Sequence, residues 1–157
     1  MKTCIYYASR NGNTRDVAEA MADALRPRGP VRIHTLEDDT PAIPEDADLV
    51  IVGGPTEGRH ATPAVTAFLD GVEPQALRGR AVAAFDTRLD WPRWLFGSAA
   101  ADIVERLLAR GARPVASPES FFVTTRPELK PGERERAAEW AASIATNSSN
   151  ALAGAAG

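Results

Sequence analysis

Lys2-Thr3-Cys4-Ile5-Tyr6-Tyr7-Ala8-Ser9-Arg10-Asn11-Gly12-Asn13-Thr14 opens the chain with an apolar run, a short polar loop and the start of a helix-patterned stretch. A strand that passes through a tight loop into a helix N-terminus is a place where an anion is held. The first N–H groups of a helix have no intrahelical acceptor, and the aligned peptide dipoles leave about half a positive charge there. Gly12 lets the backbone turn sharply and approach a ligand, while Ser9, Asn11, Asn13 and Thr14 add side-chain donors. Residues 9–14 therefore read as a phosphate loop that needs no lysine. As plain local structure they would be a polar strand-to-helix turn capped by Asn and Thr.

The same stretch excludes several chemistries. No glycine-rich run ends in Lys-Ser or Lys-Thr, and the three spaced glycines of a dinucleotide fingerprint are missing. Cys4 and Arg10 have the C-x5-R spacing of a cysteine-dependent phosphatase. Cys4, however, lies mid-run among Ile5, Tyr6 and Tyr7, where a buried structural thiol belongs rather than a nucleophile at a loop mouth.

A chain of 157 residues with 44% hydrophobic content is enough for one domain around a single sizeable core. The reading places that domain at 1–146 and a flexible C-terminal tail of small, weakly patterned residues at 147–157. A net charge of −3 with scattered arginines gives no electrostatic reason to expect nucleic acid. One cysteine rules out an intrachain disulfide framework and fits a reducing cytoplasm. No run approaches the ~20 apolar residues of a membrane span, and the N-terminus does not have the pattern of a secretory leader. The expectation is a soluble, cytoplasmic protein, with no metal ligand and no catalytic side chain assigned and the oligomeric state open.

Apolar runs of strand length fall at 3–8, 31–36, 49–53, 80–85 and 113–123, the last interrupted near Ser117-Pro118. Amphipathic helices lie between them. Val17, Met21 and Leu25 mark the first, with Ala18 and Ala22 beside them; Val65, Phe68 and Leu69 mark the second. Ile103, Val104, Leu107 and Leu108 mark the third, and Ala137, Trp140, Ala141 and Ile144 the fourth. Pro63 and Pro131 suit first turns, and Gly29, Gly71 and Gly111 suit helix ends. Strands apolar on both faces that alternate with helices imply an α/β fold of three layers, a doubly wound five-stranded parallel sheet. Right-handed crossovers favour the order 2-1-3-4-5, with ligands at the strand C-terminal ends, where the loops 9–14, 54–62 and 86–98 meet.

The loop Ser9-x-x-Gly12-Asn13-Thr14, the sequence Val52-Gly53-Gly54-Pro55-Thr56 closing the third strand and an aromatic loop after the fourth together resemble the flavodoxin family. The resemblance covers about residues 2–145 and implies a non-covalently bound FMN as cofactor. It places Ser9, Arg10, Asn11, Gly12, Asn13 and Thr14 on the FMN phosphate. Pro55, Thr56, Glu57, Gly58 and Arg59 would line one side of the ring, and Asp86, Thr87, Arg88, Leu89, Trp91 and Trp94 the other. Receiver domains share the fold, but Ala8-Ser9 and Gly53-Gly54 stand where they need carboxylates.

Departures from the family bear on function. Asn11 replaces the usual threonine and can still donate to phosphate. The segment 57–61 has no tryptophan, tyrosine or methionine to stack on the flavin, so one ring face would be open or covered by Arg59 or His60. Trp91 or Trp94 would stack on the other face, or else pack under the next helix or meet a partner. Arg59, Arg88 and Arg93 near the ring would favour the anionic reduced flavin and give a potential less negative than an acidic flavodoxin's. Gly58 is either a turn glycine or a peptide that flips to face the reduced flavin N5–H.

The function this implies is electron transfer through FMN to protein partners, a reductase and an acceptor. The alternative is an NAD(P)H-dependent quinone or flavin oxidoreductase, or a protoporphyrinogen-oxidising flavoprotein, on the same site. A flavin-free binding module stands behind both.

Overall fold

The computed structural model describes residues 1–37 and 42–155. Strand β1 (Thr3–Tyr7) is buried at every position, as a central parallel strand covered on both faces must be. It pairs in parallel with β2 (Val31–Thr35) on one side and β3 (Leu49–Pro55) on the other, so that Ile5 sits between Ile33 and Ile51. Strand β4 (Ala81–Leu89) follows β3, and with β5 (Arg113–Pro114) at the margin the order is β2-β1-β3-β4-β5. The predicted fold class and strand order are those observed.

Period-two alternation divides the strand residues between two cores. Ile5, Leu49, Ile51, Ala83 and Phe85 face helix α1 (Asn13–Leu25) and helix α6 (Glu133–Ala155), through Val17, Met21, Ala137 and Ile144. Tyr6, Val50, Val52, Val82 and Ala84 face α2 (Pro63–Gly71) and α5 (Ala99–Ala109), through Val65, Leu69, Ile103 and Leu107. The short α3 (Pro74–Leu77) adds Leu77 to the second core. Pro63 stands at the first turn of α2, where a missing N–H costs nothing. Cys4 is buried in the middle of β1, and burial pushes its thiol pKa up, as a structural cysteine requires.

Three features differ from the sequence reading or extend it. The fourth strand, read as ending at Phe85, continues to Leu89. The last strand breaks as expected around Pro118, into β5 (Arg113–Pro114) and β6 (Glu119–Val123), and both pieces pair with β4. Pairing of β6 with Phe85–Leu89 holds the polar end of β4 in the sheet, a long-range contact with no local signal. Finally, α6 runs through residues 147–155, so the boundary drawn at 146 falls inside a helix, in which Ser148 is fully buried. Its Ala- and Ser-rich composition lacks a strong stripe yet favours helix and close packing; residues 156–157 lie outside the described residues. Among the described residues no helix is long and apolar enough to cross a membrane.

Tyr6 stacks on Phe68 at 4.6 Å and on His34 at 5.0 Å. Burial pushes the Tyr6 phenol up to about 12 and holds His34 below the usual 6.5. The fold thus prefers neutral His34, while the unfolded chain protonates it more readily. Its contribution to stability is complete above pH 6.5 and is lost as the pH falls below that value. Urea unfolding at about pH 7 and about pH 5 should show a shallower pH slope for His34→Gln than for the parent chain.

Candidate functional site

Strands β1, β3 and β4 end on one side of the sheet, and their loops meet where the order reverses between β1 and β3. Gly12 takes φ +86° directly before α1. The backbone N–H groups of Arg10, Asn11, Gly12, Asn13 and Thr14 have no acceptor among the described residues. Ser9 differs: its N–H donates to Glu37 Oε1 at 2.7 Å, and its Oγ accepts from Arg15 N at 3.3 Å. That leaves the Ser9 hydroxyl hydrogen available. Asn13 Nδ2 donates to Pro127 O at 2.7 Å, and Thr14 and Thr87 share a buried hydroxyl hydrogen bond of 2.7 Å. Arg10 is ion-paired with Glu57 at 3.3 Å.

A cleft of about 250 Å³ runs from Asn11, Asn13 and Thr14 past Pro55, Thr56 and Thr87, with Val123 and Pro127 as its far wall. It continues into a hollow of about 230 Å³ between Gly58, Arg59, Trp91 and Phe96, the two sharing Thr56, Arg88 and Leu89. The walls of this second part come from a turn and a short helix that lock together. Glu57 and His60 exchange both backbone hydrogen bonds at 3.0 Å, and Gly58 and Arg59 take φ of 53° and 77°. A two-residue hairpin turn of this hand needs positive φ at both centres. Arg59 is the only non-glycine with positive φ among the described residues, a conformation that costs roughly 1–2 kcal/mol.

Helix α4 (Arg93–Phe96) holds that turn in place. Arg59 Nη2 donates to Trp94 O at 3.5 Å, and Gly97 lies so close that a Cβ there would sit 2.5 Å from Arg59 O. Gly97 also has φ +71°. Gly97→Ala should therefore destabilise by about 2–4 kcal/mol, from left-handed strain plus overpacking, and should displace the 57–60 turn. Thermal unfolding together with Trp fluorescence checks both parts.

The extension of β4 changes the role of two predicted residues. Asp86 is fully buried and borders neither part of the cleft. Its Oδ2 accepts from Thr56 Oγ1 at 3.1 Å, Ser98 Oγ at 2.6 Å and Ala100 N at 3.0 Å. Asp86 thus lies beneath the site and ties the β3 loop to the start of α5. Arg88 borders the cleft, but its charge is paired with Asp86 Oδ1 at 3.9 Å and its donors are engaged: Nε donates to Ser120 Oγ at 2.9 Å, Nη1 to the carbonyls of Leu89 and Trp91, and the guanidinium lies over Phe122. Trp91 borders the hollow and leans on Phe96 at 4.8 Å, whereas Trp94 is 80% exposed and borders neither part. Arg93 borders neither part as well.

Val123, Pro127, Phe96 and Gly97 complete the walls and were not singled out from the sequence. The signal for the first two was present. Residues 124–127, Thr-Thr-Arg-Pro, are a turn at the C-terminal end of the last strand, where the same topological rule places a ligand loop. A larger cavity, about 810 Å³ between α2, α3, Leu36 and residues 42–45, lies elsewhere. Its walls are mainly apolar, and Arg80 within it is spent on the carbonyls of Ala76 and Ala47.

A row of free N–H donors at a helix start, leading into a cleft with an aromatic wall, suits a phosphate attached to a flat ring. A family model described as a flavodoxin domain matches residues 4–92, and the chain belongs to that family. Flavodoxin domains bind FMN as their cofactor, and the matched stretch contains every loop described above up to Pro92.

Solved structures agree on the fold. Oxidised flavodoxin 1 from Bacillus cereus superimposes with TM-score 0.77 at 23% identity over 93% of this chain and 98% of that one. A flavodoxin from the domain Archaea gives 0.77 at 19% identity over 95% and 99%. The rubredoxin oxygen:oxidoreductase of Desulfovibrio gigas gives 0.75 at 22% identity over 97% of this chain and 37% of that one. No curated protein matches the chain.

Proposed function

We propose that this chain holds FMN in the cleft and passes electrons between a reductase and an acceptor protein. The observation that carries the reading is the run of unsatisfied N–H groups on Arg10, Asn11, Gly12, Asn13 and Thr14 at the end of a cleft of suitable shape. They would bind the phosphate dianion, with the Ser9 and Thr14 hydroxyls beside them. Because Arg10 is neutralised by Glu57, dipoles rather than a free cation would supply most of the attraction. Pro55, Thr56, Thr87 and Leu89 would border the middle of the ligand, and Trp91 with Phe96 would form the apolar wall of the ring pocket. Bound FMN supplies one- and two-electron redox chemistry that no side chain here provides.

Arg59 is the free cation at the ring pocket, since Arg88 is committed and Arg93 stands outside. It would favour an anionic reduced ring. Arg59→Gln should shift the potential to more negative values by tens of millivolts, the scale of one half-screened charge at about 1 kcal/mol near 4 Å in water. Spectroelectrochemical titration measures this. A Cβ on Gly58 would meet nothing within 4 Å, so its peptide has room to turn a carbonyl toward flavin N5. A cytoplasmic setting fits the single buried thiol.

The open side of that turn favours a second reading. No tryptophan, tyrosine or methionine stands on residues 57–60, which leaves room for a nicotinamide to stack and deliver hydride to the flavin. The chain would then be an NAD(P)H-dependent quinone or flavin oxidoreductase, or would oxidise a porphyrin precursor. The test has two stages. The purified protein should be yellow and release FMN on denaturation; anaerobic mixing with NADPH or NADH should then leave it oxidised unless a reductase is added. Rapid direct bleaching would favour the second reading, and a colourless protein that does not take up FMN would refute both.

A further inference from the structure

Beside the cleft the surface is unusually apolar. Trp91, Trp94, Leu95 and Phe96 are 45%, 80%, 46% and 41% exposed, whereas the other large exposed apolar residues described, Leu108 and Leu152, stand singly. Clustered apolar exposure of this kind marks an interaction site. The charges around it are sorted. Glu57 and Asp90, the carboxylates on the two flanking segments, are already paired with Arg10 at 3.3 Å and Lys130 at 3.0 Å. Arg59 meets only the Trp94 carbonyl, and Arg93 meets no partner among the described residues. Arg59 and Arg93 thus place positive charge without a carboxylate partner beside this apolar patch on the cleft rim.

We infer that this face docks a redox protein whose own docking surface is apolar at the centre and rimmed by carboxylates; the inference rests on the electron-transfer reading above. Free cations attract, whereas paired ones are largely cancelled, so Arg59 and Arg93 draw the carboxylate rim of an acidic partner onto the patch. Trp and Arg are also the side chains that contribute most when an interface closes over them. The patch adjoins the hollow through Trp91 and Phe96, which brings the partner against the ring end of the cleft.

The test titrates the purified chain separately with an acidic plant-type [2Fe–2S] ferredoxin and a basic c-type cytochrome, following the Trp91 and Trp94 indole N–H resonances. The ferredoxin should shift both at low salt and bind at least tenfold more weakly at about 0.3 M salt. Arg59→Glu with Arg93→Glu should weaken it tenfold or more. Should the double variant unfold, Arg93→Glu alone, which breaks no contact, should still weaken ferredoxin several-fold. Tighter binding of the cytochrome, unchanged affinity in the charge variants, shifts that follow protein concentration alone, or preferential binding to phosphatidylglycerol vesicles would each overturn the inference. The indole signals report docking whether or not flavin is present, so a colourless protein counts against the cofactor reading alone.

Discussion

Asp86→Ala should destabilise the chain by about 3 kcal/mol or more. The carboxylate is fully buried, and Oδ2 serves three donors, Thr56 Oγ1, Ser98 Oγ and Ala100 N. Deleting it leaves these groups without their acceptor, and the bonds from Ser98 and Ala100 are buried away from water. It also removes a negative charge from the N-terminal turn of α5, where the helix dipole favours one. Asp86→Asn keeps the shape and one acceptor oxygen, and should cost about 1–2 kcal/mol. Urea unfolding of the two variants gives the order directly; equal midpoints for alanine and the parent chain would refute the role. Because Thr56 borders the cleft, the alanine variant should also hold its cofactor more weakly than its stability loss alone explains.

Riboflavin should bind the apoprotein at least a thousandfold more weakly than FMN, a difference of about 4 kcal/mol. The two ligands differ only in the phosphate, and hydrogen bonds to a charged group are worth about 1.5–3 kcal/mol each. Five N–H groups, on Arg10 to Thr14, have no acceptor among the described residues and are the donors proposed for that charge. Two of them engaged at the middle of the range would already account for the difference. Inorganic phosphate should compete with FMN for the same reason. Isothermal titration of apoprotein with each ligand measures the ratio, and near-equal affinities would remove residues 9–14 from the binding role.

Much of this was legible in the sequence because it is local. The proposed phosphate loop needs only one strand, one glycine and one helix start in succession, and Gly12 and Thr14 lie at that helix start. Strand order followed from apolar runs such as 49–53, covered on both faces. What local pattern could not supply was the length of β4. Asp86 and Arg88 look like loop residues until β6 pairs beside them and Ser98 and Ser120 hydrogen-bond to their side chains. Trp91 and Trp94 were equivalent in sequence, and only the packing of α4 against the 57–60 turn separates them. The helical character of 147–155 was hidden by small residues that carry almost no amphipathic signal.

The divided last strand has a consequence for how this molecule behaves in a crowded solution. An uninterrupted outer strand would present a long row of unpaired backbone groups, a template on which another chain can add. Here that margin of the sheet consists of a two-residue piece and a five-residue piece separated at 115–118. Within the gap the Asn147 amide donates to the Val115 carbonyl at 3.1 Å, so α6 covers one of the exposed acceptors. The break that splits the strand also leaves no continuous template along this margin of the sheet.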